Sequence, residues 1–168
     1  MPVLESNLKL YGSLYMPQND TEINGGAIDT DNEILGVVGE VFNDLESDEA
    51  GGVTYYQYRK VFFKNTSATS NLENAKIWIL SDPENQVTMA LEEVKNGNDQ
   101  SANRITAPVG YTFVEAQDEA NALLVPGTGN ILENGEAIGV WLKLTLPAGL
   151  PPKNQVDLKL KIKGASTE

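Results

Sequence analysis

Gly52-Val-Thr-Tyr-Tyr-Gln-Tyr-Arg-Lys-Val-Phe-Phe-Lys-Asn-Thr-Ser-Ala-Thr-Ser-Asn-Leu-Glu-Asn-Ala-Lys-Ile-Trp-Ile-Leu80 is the stretch from which the fold of this 168-residue chain is read. Residues 55–65 are dense in aromatic and β-branched side chains, which fit a pleated, half-buried surface. Residues 66–71 are only Thr, Ser, Ala and Asn, whose short polar side chains compete for backbone hydrogen bonds and favour turns. From 75 to 80 apolar alternation returns, with Ala75, Ile77 and Ile79 on one face and Lys76, Trp78 and Leu80 on the other. The pattern predicts two long strands joined by a polar loop at the centre of an antiparallel sheet.

Downstream the strand signals repeat. Val87, Met89 and Leu91 fall in phase, and a short strand is expected near residues 111–114. Ile138, Val140, Leu142, Leu144 and Leu146 then alternate with Gly139, Trp141, Lys143 and Thr145. Val156, Leu158, Leu160 and Ile162 alternate with Asp157, Lys159, Lys161 and Lys163. Strict period-two patterning puts one face on a core and one face outward. Residues 147–154 hold three prolines, which cannot donate ladder bonds, and are expected as a loop. Residues 115–122 are too polar for a core helix. The expectation is an all-β, antiparallel β-sandwich, immunoglobulin-like, with a jelly roll as the alternative.

The first third differs. Residues 1–58 hold eleven acids and a single base, Lys9, whereas the rest is nearly balanced within a net charge of −12. Residues 7–16 are compatible with a strand interrupted at Gly12, and Asn24-Gly25-Gly26 is a strong turn signal. The apolar pieces that follow are short. Residues 1–50 are therefore expected as an acidic, extended N-terminal arm with short strands, dependent on a partner for order. Residues 51–168 form the sandwich domain.

Composition narrows the chemistry. The chain has neither cysteine nor histidine, which removes thiolate and imidazole ligands, the commonest general base and the usual partner of a nucleophilic serine. Its acidity repels phosphate backbones, so nucleic acid is not an expected partner. No apolar run approaches the roughly 20 residues that span a bilayer, and the first residues lack a secretory pattern, so a soluble chain without membrane partners is expected.

Four phrases carry a resemblance: Asn24-Gly-Gly-Ala-Ile-Asp29, Tyr58-Arg-Lys-Val-Phe-Phe-Lys-Asn-Thr-Ser67, Gly135-Glu-Ala-Ile-Gly-Val-Trp-Leu-Lys-Leu-Thr-Leu-Pro-Ala-Gly149 and Leu158-Lys-Leu-Lys-Ile-Lys-Gly164. They resemble small β-sandwich proteins of tailed-bacteriophage virions, some of them similar to capsid decoration (cement) proteins. The resemblance implies a non-enzymatic virion protein on the outer capsid surface, a dimer or trimer whose partner is the major capsid protein lattice. It implies no catalytic residues, no cofactor and no metal.

Other candidate residues stand beside it. Asp29, Asp31, Glu33 and Glu40 sit at the first, third, fifth and twelfth places of a calcium-loop pattern, but Ile34 stands where the turn needs Gly, so a solvated acidic segment is preferred. Glu92 with Glu93, or Glu115 with Asp118 and Glu119, are acidic enough for glycoside hydrolysis, but nothing marks a cleft between them. Trp78 and Trp141 are out of phase with the apolar alternation and are expected on outward faces. There they would be anchors for a protein or a sugar, unless the arm or a loop covers them. Lys159, Lys161 and Lys163 stripe the last strand, to block edge pairing or to receive a neighbour's acidic arm. A carbohydrate-binding or adhesion module using the tryptophans is the alternative function.

Overall fold

The computed structural model describes residues 2–36, 41–42, 52–149 and 158–167. The described residues form nine strands: β1 (Leu8–Tyr15), β2 (Asn24–Glu33), β3 (Tyr55–Asn65), β4 (Asn71–Ser81), β5 (Val87–Leu91), β6 (Gln100–Ser101), β7 (Leu123–Leu124), β8 (Ala137–Leu146) and β9 (Lys159–Thr167). They form a six-stranded sheet in the order β5-β8-β3-β1-β2-β6 and a three-stranded sheet in the order β7-β4-β9. Every pairing is antiparallel. Among the described residues no helix is long and apolar enough to cross a membrane.

One core cluster joins the two sheets in a sandwich-like arrangement. Val61 and Phe63 of β3, Ile138, Val140, Leu142 and Leu144 of β8, and Met89 of β5 pack with Leu72, Ala75, Ile77 and Ile79 of β4 and Ile162 of β9. Each such apolar side chain stabilises the fold by about 1.5–3 kcal/mol when fully buried.

The opposite face of the large sheet is also covered. Tyr11 of β1, Phe62 of β3 and Ala137 of β8 form a second cluster. Tyr58, Ala90 and Trp141 form a third, with Tyr111 and Phe113 packed over it from the segment after β6. A sheet buried on both sides explains why residues 57–63 of β3 are buried without a break.

The structure departs from the sequence expectations at several places. The two central strands occur, but β3 and β4 do not pair. Residues 66–70 carry the chain from one sheet to the other, and buried Asn65 fixes the crossing by donating to Ser70 O (2.9 Å) and Leu132 O (3.1 Å). The described part of the expected N-terminal arm supplies β1, an inner strand held by both β2 and β3, so it belongs to the sheet and does not extend away from it. Asn24-Gly25-Gly26 opens β2 instead of making a turn. Gly25 and Gly26 have φ of 98° and 85°, and a Cβ on Gly25 would lie 2.6 Å from the Trp141 ring. Only glycine tolerates both that backbone and that approach.

Residues 115–122 contain neither helix nor strand, and the strand expected near 111–114 is reduced to a single bridge between Met89 and Val114. Residues 37–40, Glu40 among them, residues 43–51, and residues 150–157 with most of the proline-rich loop lie outside the described residues.

Candidate functional site

Neither tryptophan is on an outward surface. Trp78 is 6% exposed and joins the main core, and Trp141 is fully buried. For Trp141 the alternation identified the face correctly, away from Val140 and Leu142. What it could not show is the cover. Residues after β6 return over that face, with the Tyr111 ring 6.1 Å from the indole and Phe113 5.5 Å from Tyr58.

The lysine stripe lies on β9, an outer strand of the smaller sheet, bonded on one side to β4. Lys163 is occupied. It reaches Glu119 at 2.9 and 3.0 Å, and Lys76 of β4 reaches the same carboxylate at 2.7 Å. The hydrogen bonds from Lys76 and Lys163 hold the Glu119 carboxyl down at about 2. Lys159 is exposed, and Lys161, opposite Trp78, is partly exposed.

The other acidic candidates do not converge on a cleft. Just past the end of β5, Glu92 is fully buried and Glu93 is exposed. Asp118 accepts bonds from Asn121. Asp29, Asp31 and Glu33 lie along extended β2, where they cannot wrap an ion as a loop does, and Glu33 pairs with Lys9 at 2.8 Å. Among the described residues no group of three or more acidic side chains is placed to hold a metal.

The densest polar chemistry is one the sequence did not single out. Adjacent Arg59 and Lys60 of β3 are both fully buried and project to opposite faces. Arg59 donates to Pro17 O (2.7 Å), Val41 O (2.9 Å) and Asn24 Oδ1 (3.4 Å). Burial, with repulsion from Arg104, lowers its pKa to about 10. The guanidinium thus ties the β1–β2 connection and residue 41 to β3.

Lys60 points to the covered face. Its ammonium pairs with the buried Glu92 carboxylate and also donates to Gly26 O (2.8 Å) and Asp99 O (3.2 Å). It lies 4.8 Å from the Phe62 ring centre and 5.7 Å from that of Trp141. Glu92 Oε1 accepts a further bond from Asp99 N at 3.0 Å, whereas Oε2 has no partner. Burial lowers the Lys60 pKa and raises that of Glu92, against their mutual attraction. The Asp99 carboxylate in turn accepts the Tyr111 hydroxyl, whose pKa is raised first by burial and then by that bond. Two adjacent cations in a strand dense in aromatic and β-branched residues were the available signal, but the partner of Lys60 lies 32 positions away.

Comparison of the chain with protein-family models, with curated proteins and with solved structures finds no match.

Proposed function

We propose that this chain is a non-enzymatic structural protein of a tailed-phage virion, a decoration protein that binds the outer surface of the assembled capsid. The four resembling phrases carry the reading. They fall on β2, β3, β8 and β9, the framework of both sheets. The net charge of −12 suits a surface facing solvent better than one facing packaged DNA. On this reading the two sheets form an immunoglobulin-like sandwich, in which the chain crosses between sheets after β3 and β4 and again after β6, β7 and β8.

Binding to the lattice and not to its loose subunits stabilises a shell by mass action, without chemistry. A dimer or trimer repeats modest contacts and gains avidity. With both indoles buried, the contact side chains proposed here are Lys159 and Lys161. Lys163 joins them only if it leaves Glu119. Burial of Trp78 and Trp141 also removes the stacking platform on which the carbohydrate-binding alternative relied.

The test is co-sedimentation with expanded capsids assembled from the major capsid protein encoded in the same genome. The protein should pellet with shells and not with unassembled subunits, and the double variant Lys159→Glu, Lys161→Glu should pellet less while keeping its melting temperature. Failure of the unmodified protein to bind shells, or binding to a glycan array without shell binding, overturns the proposal.

A further inference from the structure

We propose that Lys60 and Glu92 condense into an intramolecular isopeptide bond, cross-linking β3 to the segment that follows β5. The two side chains meet across β8, the strand that separates β3 from β5. They meet there because β8 has no side chain in the way: a Cβ on Gly139 would overlap Glu92 Oε2 and lie 2.8 Å from Lys60 Cε. Gly97 closes the other side, where a Cβ would lie 2.6 Å from the Glu92 carboxyl carbon. Phe62 and Trp141 wall the chamber, and both reacting side chains are wholly shielded from water.

The bonding pattern supplies the parts of an acyl transfer. As an ammonium, Lys60 gives one proton each to Glu92, Gly26 O and Asp99 O. Passing the first proton to Glu92 leaves a neutral amine and a neutral acid, the forms that a low-dielectric chamber favours. The two carbonyls keep the remaining N–H groups, so the freed lone pair lies on the side of the Glu92 carboxyl. Glu92 Oε2, held by no partner, leaves the carboxyl free to turn its carbon toward the nitrogen.

The nitrogen attacks the carboxyl carbon. Oε1, which has taken the Lys60 proton and accepts the N–H of Asp99 at 3.0 Å, becomes the leaving hydroxyl, and Oε2 becomes the amide oxygen. An N–C bond forms and the C–OH bond breaks. The hydroxyl departs with a proton from the amine as one water molecule, with no oxidant or reductant. In bulk water ionisation and hydrolysis oppose this step. Here exclusion of water and fixed proximity favour it, and the product removes two charges from a site where each is costly.

Intact-mass spectrometry of the purified full chain reads the outcome. The folded protein should weigh one water molecule less than its sequence, and a digest should yield one branched peptide joining the segments that contain Lys60 and Glu92. Lys60→Arg, which keeps the charge and lacks the primary amine, should have its full sequence mass. To separate loss of the amine from loss of the fold, the unmodified chain is also followed in time. Held unfolded in urea from synthesis it should keep its full mass, and it should lose water only after refolding. A folded protein that retains its full mass overturns the proposal, leaving a buried ion pair alone. So does a water loss that maps to any other residues.

Discussion

Replacing Trp141 by alanine tests whether the covered face of the large sheet is core. The indole is fully buried, sits against bare Gly25, and lies 5.7 Å from the Lys60 ammonium and 6.1 Å from the Tyr111 ring. Truncating a buried tryptophan costs about 3–5 kcal/mol, from lost transfer energy and the cavity left behind. For a domain of this size each kcal/mol moves the melting temperature by roughly 2–4 °C, so a fall of roughly 6–20 °C is expected. Urea unfolding followed by circular dichroism gives the free energy directly, and Trp78 remains as an independent fluorescence probe of the main core. Trp78→Ala should cost a similar amount. If Trp141→Ala loses less than about 1 kcal/mol, the segment carrying Tyr111 and Phe113 is not packed on the sheet and the reasoning fails.

Arg59→Met keeps the bulk of the side chain but strands the carbonyls of Pro17 and Val41 and the amide oxygen of Asn24, at about 1–3 kcal/mol for each buried group left unpaired. Arg59→Lys, with a single donor centre in place of a planar fork, should fail to restore the wild-type midpoint in urea. Glu119 gives a pH signature. Its folded pKa, about 2, lies below the ordinary 4.5, so its contribution is fully present above pH 4.5 and is lost as the pH falls through 2. The melting-temperature difference between the wild type and Glu119→Gln should therefore be constant at neutral pH and vanish in acid. It should also shrink with added salt, because the site is exposed. A difference that persists unchanged to the lowest pH counts against the clamp.

The strands were legible wherever a local pattern decided them. Residues 137–146 form β8 as their alternation requires, and the expected central strands occur as β3 and β4. Partnership was not legible, because pairing depends on contacts between segments far apart in sequence. Thus β3 finds β8 and β1, and β4 finds β9, although β3 and β4 are neighbours in the chain. An extended arm is the expectation for residues 1–50 because the segment is acidic and its apolar pieces are short. In the structure Lys9 and Arg104 each meet one of those acids, Glu33 and Asp20, and β1 supplies an inner strand in spite of its surroundings. Asn24-Gly25-Gly26 carried the right backbone information, positive φ, but glycine serves close approach as readily as turning.

The tryptophans show why alternation and exposure are separate questions. A period of two assigns a side chain to a face, and whether that face meets water depends on what lies over it. Over Trp141 lies a segment with almost no regular structure, so no periodicity announces it. Its attachment is chemical. Asp99 receives Lys60 on its carbonyl, gives its N–H to Glu92 and accepts Tyr111 on its carboxylate. Those bonds decide whether Tyr58 and Trp141 are core or surface. Uncovered, the same rings would form a contiguous apolar patch of the kind that marks association or aggregation. Lys60 and Glu92 are therefore buried charged residues whose loss would change what the protein presents to its surroundings. A surface reading that starts from exposed charge passes over both, because neither is exposed.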